Sequence, residues 1–465
     1  MVDAASAHID CTLAGALPPE ALYAVGGRVR DEVRSEFYGA VRRAKDLDYV
    51  VVGLELDELL ERLRRVGRAD VAGASFAVVK VTIEGTTVDV ALPRRERSTG
   101  VGHREFALEW GPAIPLEDDL ARRDFRMNML ARAIPAGTLI DPYGGVDDIR
   151  AGRIDLLRAE AFEEDPLRML RACQFAARFS YHISERTMSA MRSAAPLVAS
   201  VSPERVREEL VKLLESAPVP SLGIELMREG GLLEFVLPEV AEGLGVEQNL
   251  YHAYDVYRHS LVTLDATPPG DIVLRLAALL HDVAKPRTKS QDEGGTHFYR
   301  HEVVGEVMAR ELLGRLRFPG ELTTDVCRLV KHHMYAADPV QEPRTIRRFI
   351  RRIGPDLLER QFALRAADVV GSGLPKRGDG NERFAERVRA IAAEEPPLTV
   401  RDLALDGSNV IAALVAAGRL APGARGGPDV GVVLQALLEL VTDDPALNTP
   451  EGLREAAERI IARLK

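Results

Sequence analysis

The stretch "YAVGGRVRD", Tyr23 to Asp31, decides how the first third of the chain is read. An apolar, β-type run stops at Gly26-Gly27, and a charged segment of helical character opens at Arg28. Glycines at a strand-to-helix junction let backbone N–H groups approach an anion, and the helix N-terminus adds a favourable dipole. The same pair is ordinary punctuation in a tight turn. What separates a turn from a phosphate cradle is what the rest of the chain holds in register with it.

Downstream comes "KDLDYVVVG", where Asp46 and Asp48 alternate along a strand and so share a face. Two carboxylates there repel unless a cation lies between them. Mg²⁺ suits the place, because it takes oxygen ligands and keeps positions open for phosphates; a solvated strand face is the alternative. Asp89 sits between valines in "TTVDVAL", and a charge inside an apolar strand needs a partner or a metal. "LARRDFRMN" follows with Arg122, Arg123, Asp124 and Asn128, either a capped helix start or a polar site. In "EDPLRMLR", Asp165, Arg168 and Arg171 fall along one side of a helix. An Asp and an Arg so placed offer acceptor and donor edges to a nucleobase, or pair with each other as a helical salt bridge.

These four motifs, in this order, resemble the class II tRNA nucleotidyltransferase and bacterial poly(A) polymerase family of the polymerase-beta-like superfamily. The match covers roughly the first 180 residues strongly and extends more loosely to the C-terminus. The resemblance implies that Gly26, Gly27, Arg30 and Asp31 belong to the triphosphate side of the site. It gives Asp46 and Asp48 the Mg²⁺ ions, with Asp89 as third catalytic carboxylate. Arg123, Asp124 and Asn128 match the motif that handles ribose and triphosphate. Asp165 and Arg168 match the pair that reads the incoming base, with Arg171 supporting them. Arg126 departs from the small polar residue usual in the family. The implied reaction is attack of a terminal RNA hydroxyl on the α-phosphate of CTP or ATP, with two metals and no side-chain nucleophile. The charged, glycine-broken "PRRERSTGVGHREF" between Asp89 and the "RRDF" motif reads as a mobile loop or a solvated connector. A loop at this place in the family's CCA-adding members helps the switch from C to A.

A second constellation lies far downstream, in "VYRHSL", "AALLHDVAKP", "FYRHEVVG", "VKHHMY" and "LRAADVVG". His281 and Asp282 are adjacent at the end of an apolar helix and can converge on an ion beyond that end. With His259 and Asp368 they make a nitrogen and oxygen set that suits a transition metal such as Mn²⁺, Ni²⁺ or Fe²⁺, or else Mg²⁺. His301 with His332 or His333 offers a place for a second ion or a phosphate, His332 being taken as the ligand, and Lys285 faces the substrate. The series resembles the HD phosphohydrolase superfamily, which implies metal-dependent hydrolysis of a phosphate ester.

The remainder bounds these readings. A chain of 465 residues with 46% hydrophobic and 28% charged residues is long enough for two to four soluble domains. No run suits a membrane span or a signal peptide, and the three scattered cysteines exclude a disulfide scaffold, so a cytoplasmic location is expected. A net charge of −10 argues against indiscriminate polyanion binding. Locally, "RTIRRFIRR" carries Arg347, Arg348, Arg351 and Arg352 on a helical face able to track an RNA backbone. The fold expected is α+β. A nucleotidyltransferase head with a mixed sheet (1–150) precedes a helical neck (151–240), an HD domain (245–390) and a helical tail (391–465). The expected function is tRNA 3′-CCA addition or repair with an HD phosphohydrolase activity; the partners are the tRNA 3′ end, CTP and ATP, with no obligate protein partner. The alternatives are a poly(A) polymerase of the same family, or an HD phosphohydrolase with a nucleotide-binding regulatory head.

Overall fold

The computed structural model describes residues 4–39, 47–72, 77–98, 106–293, 295–375 and 379–464. They divide into two compact units, Met1–Pro238 and Glu239–Lys465.

The first unit is built on a mixed seven-stranded sheet with five strands that matter for the site: β1 (Leu22–Val25), β2 (Asp48–Val51), β3 (Arg68–Val71), β4 (Val78–Ile83) and β5 (Thr86–Ala91). After the ribbon of β6 (Arg94–Ser98) and β7 (Phe106–Trp110), β8 (Ala131–Ile134) and β9 (Leu139–Ile140) return to complete the order β3-β4-β5-β2-β1-β8-β9. Its central strands are short runs rich in Val, and the apolar side chains of β2 and most of those of β1 are buried, as an interior strand requires. β1 runs antiparallel to β2 and β8, whereas β2 and β5 are parallel, with Asp48 opposite Asp89.

β1 ends at Gly26, whose φ of 72° and ψ of −144° suit a residue without a side chain. The turn launches the helix Gly27–Tyr38, whose buried face is unusually polar: Arg28, Arg30, Asp31 and Arg34 lie inward beside Val29 and Val33. From residue 151 onward the described residues are helical apart from four short strands, a parallel pair (Arg153–Ile154 and His182–Ile183) and a hairpin (Lys289–Asp292 and Gly295–Phe298). The helix Leu167–Phe179 is buried along nearly its whole length. Gly223 of the helix Pro220–Glu229 allows close packing on Leu213, since a Cβ there would fall 2.3 Å from its Cδ1.

In the second unit, Asp255 and Asp271 cap the helices Val256–Asp265 and Ile272–Leu280 by accepting from Arg258 N and Leu274 N. The helices Gly320–Lys331 and Leu358–Gly371 pack against them, and His301–Arg315 packs on Gly320–Lys331. A separate core of Val410, Leu414, Val433, Leu437, Val441 and Leu453 holds together the last three helices, Gly407–Ala416, Pro428–Asp443 and Pro450–Ile461.

Candidate active sites

The glycine turn and the strand acids meet. A Cβ on Gly26 would lie 3.2 Å from Asp48 Oδ2 and 3.4 Å from Arg123 Nη1, so the bare backbone is what lets these two charges approach the turn. Asp48 and Asp89 are opposite one another on parallel neighbours, which directs both side chains to one face of the sheet. Asp89 also pairs with Lys80 at 3.2 Å. Asp46 lies outside the described residues. Arg123 is steadied by Asp119, which accepts from Arg123 Nη2 at 3.2 Å and from Arg122 Nε at 2.9 Å. Burial pushes the Asp119 carboxyl up, but Arg123 and Arg122 outweigh it and hold it below the ordinary range. Turn, paired carboxylates and anchored arginine form a set of hard oxygen donors beside a cation, which fits Mg²⁺ and a phosphate chain.

The neighbouring motif residues build a support rather than a surface. Asp124 accepts from Phe125 N, from Asn128 Nδ2 at 2.7 Å, and from Arg171 Nε and Nη2 at 2.9 and 2.7 Å. Burial pushes its carboxyl up, yet Arg171 and Asn128 prevail and hold it low. Arg30 donates to Asn128 Oδ1 at 2.9 Å and to Asp31 at 2.8 Å, and lies over the Phe175 and Phe179 rings. At 4% and 0% exposure, Arg30 and Asp31 of the triphosphate-side motif are turned into the protein. The sequence shows their charge but not their burial.

Asp165 and Arg168 do not pair with each other. Asp165 accepts from Arg205 Nη2 at 3.0 Å, while Arg168 donates to Arg122 O at 2.7 Å and to Ala161 O and Glu164 at 3.2 Å. Arg205 and the buried Glu209, 3.5 Å from Arg171, are the participants sequence reasoning missed. Their only signal is a charged run within the helix Pro203–Ser216. Arg126, the family departure, bridges Asp148 and Asp155 with contacts of 2.7 and 2.8 Å. Of the loop expected at 93–106, the flanking ribbon is formed by β6 and β7, and residues 99–105 lie outside the described residues.

In the second unit His259, His281, Asp282 and Asp368 converge. His259 Nε2 lies 3.1 Å from Asp282 Oδ2 and 3.3 Å from Asp368 Oδ1, and His281 Nε2 lies 3.3 and 3.6 Å from the same atoms. Burial lowers the His281 ring, but Asp282 and Asp368 push it up to about 10. Burial raises the Asp282 carboxyl, but His281 and Lys285 hold it well below the carboxylate range. Two imidazoles and two carboxylates drawn together in a dry pocket fit a first-row transition metal better than Mg²⁺. Lys285 reaches Asp282 and Gln248, each at 2.6 Å, and comes within 3.5 Å of His252, a residue the sequence reading passed over. On the other side of Asp282 stand His301 and His333, not the expected His332. The helix Gly320–Lys331 ends at His332, and the next residue turns its ring into the pocket. His332 is half-buried, and burial with nearby Arg352 and Lys331 lowers its ring to about 4.

The arginine helix also departs from expectation. Arg347 is buried and donates to Thr442 O at 2.7 Å and Asp443 O at 2.6 Å, while Arg348 pairs with the Asp443 carboxylate at 2.6 Å. These two bind the C-terminal end of the helix Pro428–Asp443, where carbonyls lack partners. Arg351 is half-buried and Arg352 exposed.

Comparison with known proteins finds three matched segments. Residues 22–155 match the poly A polymerase head domain, 180–244 the probable RNA and SrmB-binding site of polymerase A, and 249–370 the HD domain. The chain is 39% identical over 354 residues to an A-adding tRNA nucleotidyltransferase of Deinococcus radiodurans, covering 72% of this chain and 77% of that protein. It is 37% identical over 391 residues to a multifunctional CCA protein of Alkalilimnicola ehrlichii, covering 80% and 89%. A Bacillus stearothermophilus CCA-adding enzyme solved with CTP shares the fold, with a TM-score of 0.68 and 23% identity over 95% of this chain and 94% of that one. A Thermotoga maritima CCA-adding enzyme solved with tRNA gives a TM-score of 0.54 at 20% identity over 99% and 96%.

Proposed function

The chain belongs to the family of tRNA nucleotidyltransferases and poly(A) polymerases, and from that premise we propose that it adds or repairs the 3′-terminal CCA of tRNA from CTP and ATP. The observation that carries the reading is the meeting of the Gly26 turn with Asp48 and Arg123 beside the in-register Asp89. Asp48 and Asp89, with Asp46, would hold Mg²⁺, which would acidify the terminal hydroxyl and neutralise the pyrophosphate. The protein's part is positioning. The turn presents backbone to the phosphates, Arg123 places a cation there, and the Asp124–Arg171 pair ties the turn's surroundings to the helix Leu167–Phe179. Asp165 and Arg168, at the start of that helix, read the incoming base once their present partners exchange for it.

The D. radiodurans relative favours a second reading, addition of the terminal A alone. Incubation with tRNA lacking all of CCA, and with tRNA ending in CC, separates the two: CCA addition extends both with CTP and ATP, and A addition extends only the second.

For the second unit the reading is a metal-dependent phosphohydrolase in which His259, His281, Asp282 and Asp368 hold a transition metal. An ion held there would supply an activated water for attack on a phosphate ester. Release of phosphate from a nucleoside 2′- or 3′-monophosphate, lost in Asp282→Ala, is the test.

A further inference from the structure

We propose that Asp10 is a positioning residue for nucleotidyl transfer, holding the Gly26 turn and the Asp48 strand at a fixed separation from the reverse face of the sheet. The proposal rests on the reading of Asp48 as a Mg²⁺ ligand and goes beyond it to what keeps that acid in place.

Asp10 lies in the helix Ala4–Ala16, ahead of the segment 22–155 that matches the head domain. Its Oδ1 accepts from Arg28 Nη1 at 2.8 Å and from the Tyr49 hydroxyl at 2.6 Å, and its Oδ2 accepts from Arg28 Nη2. Arg28 Nη1 also donates to the Tyr49 hydroxyl at 3.0 Å, which closes a triangle of three buried side chains. Burial and the Asp10 carboxylate push the Tyr49 hydroxyl up, so it stays protonated and donates.

Each partner adjoins the site. Arg28 stands two residues after Gly26, and Tyr49 follows Asp48 directly. Side chains alternate along a strand, so Tyr49 faces away from the side that carries Asp48, and the triangle lies behind the sheet. Val25 closes β1 opposite Asp48, which opens β2, so the backbone ladder between them stops at the site. The side-chain network takes over there. Arg28 Nε donates to Glu32 Oε1 at 3.0 Å, and Glu32 Oε2 accepts from Arg132 Nε at 2.9 Å. Ala24 of β1 is opposite Tyr49 on one side and Arg132 of β8 on the other. The run Tyr49, Asp10, Arg28, Glu32, Arg132 therefore spans β1 from β2 to β8, passing over a small residue one register position before Asp48.

Charge makes Asp10 the centre of this run. Arg28 is the second residue of its helix, where the positive end of the dipole disfavours a buried guanidinium. Glu32 is shared with Arg132, so the bidentate anion comes from the N-terminal helix. Removing that carboxylate leaves a buried cation that must move. Arg28 would carry the turn with it and Tyr49 would lose its acceptor, and a shift of about 1 Å at reacting groups can cost about a hundredfold in rate.

The test uses the full-length protein, a tRNA ending in CC and ATP, at a temperature where circular dichroism shows each variant folded. Asp10→Ala is expected to lower kcat by about tenfold or more and to raise the Mg²⁺ concentration for half-maximal rate several-fold. KM for tRNA is expected to stay within about twofold, because the network is buried. Tyr49→Phe added to Asp10→Ala is expected to lower kcat no further, since the two act as one unit. Asp10→Asn, which keeps the shape and one acceptor, is expected to fall between Asp10→Ala and wild type and repeats the measurement should the alanine variant fold poorly. Folded Asp10 variants that lose thermal stability but keep the wild-type kcat and Mg²⁺ midpoint would overturn the proposal. Asp48→Ala, run in parallel, reads the underlying assignment. Retained incorporation there removes the Mg²⁺ reading, whereas loss there beside Asp10 variants of wild-type rate removes the positioning role alone.

Discussion

Gly26 shows what one residue decides. Its positive φ and the 3.2 Å approach that a Cβ would make to Asp48 Oδ2 are separate reasons for glycine. Gly26→Val therefore carries a backbone penalty of about 1–3 kcal/mol and also drives a methyl toward the acid. We expect nucleotide incorporation to fall by at least tenfold in steady-state assays at a temperature where circular dichroism shows the variant folded. Activity near wild type would remove the close-approach argument. The motif was legible in the sequence, because a strand, a glycine pair and a charged helix start are local features. The fate of Arg30 was not. Its burial over Phe175 and Phe179 depends on a helix far along the chain, and sequence spacing carries no such contact.

At the scale of elements, two helices are held by charge in ways the pattern did not announce. The helix Leu167–Phe179 is fastened through Arg171 to Asp124, whose carboxyl is buried and yet held below its ordinary value by Arg171 and Asn128. A depressed folded-state value contributes stability that is fully present above the unfolded value of about 3.9 and lost as pH falls through the folded one. Wild type should therefore lose stability as pH drops below about 4, and Asp124→Asn should show a flatter acid limb from a lower starting point in denaturant melts. An unchanged acid limb would show that the pair contributes nothing. The helix Pro343–Ile353 teaches the opposite lesson about reading charge. Its arginines look like an RNA-tracking face, but Arg347 spends its donors on the carbonyls of Thr442 and Asp443. Arg347→Ala should cost about 1.5–3 kcal/mol of stability while the salt dependence of tRNA binding stays the same. A shallower salt slope would restore the phosphate role. The amphipathic pattern was correct in this helix; which partner its charged edge meets was set by the C-terminal helix end it packs against.

For the whole molecule, the ordered motifs carried the reading from the first strand to the end of the HD segment. Short strand acids and an HD pair keep their meaning wherever they fall, so both sets of residues are legible in the sequence. What stayed hidden was the choice between adjacent histidines. His332 and His333 are equivalent in a sequence, and only the end of the helix Gly320–Lys331 turns one of them toward Asp282. Two units with separate acids predict separable activities. The most direct measurement is sequencing the 3′ ends of a tRNA lacking CCA after incubation with CTP and ATP, using wild type, Asp48→Ala and Asp282→Ala. The account predicts C, C, A and then a stop for wild type and Asp282→Ala, and no extension for Asp48→Ala. Extension by Asp48→Ala, or an open-ended A tract from wild type, would contradict it.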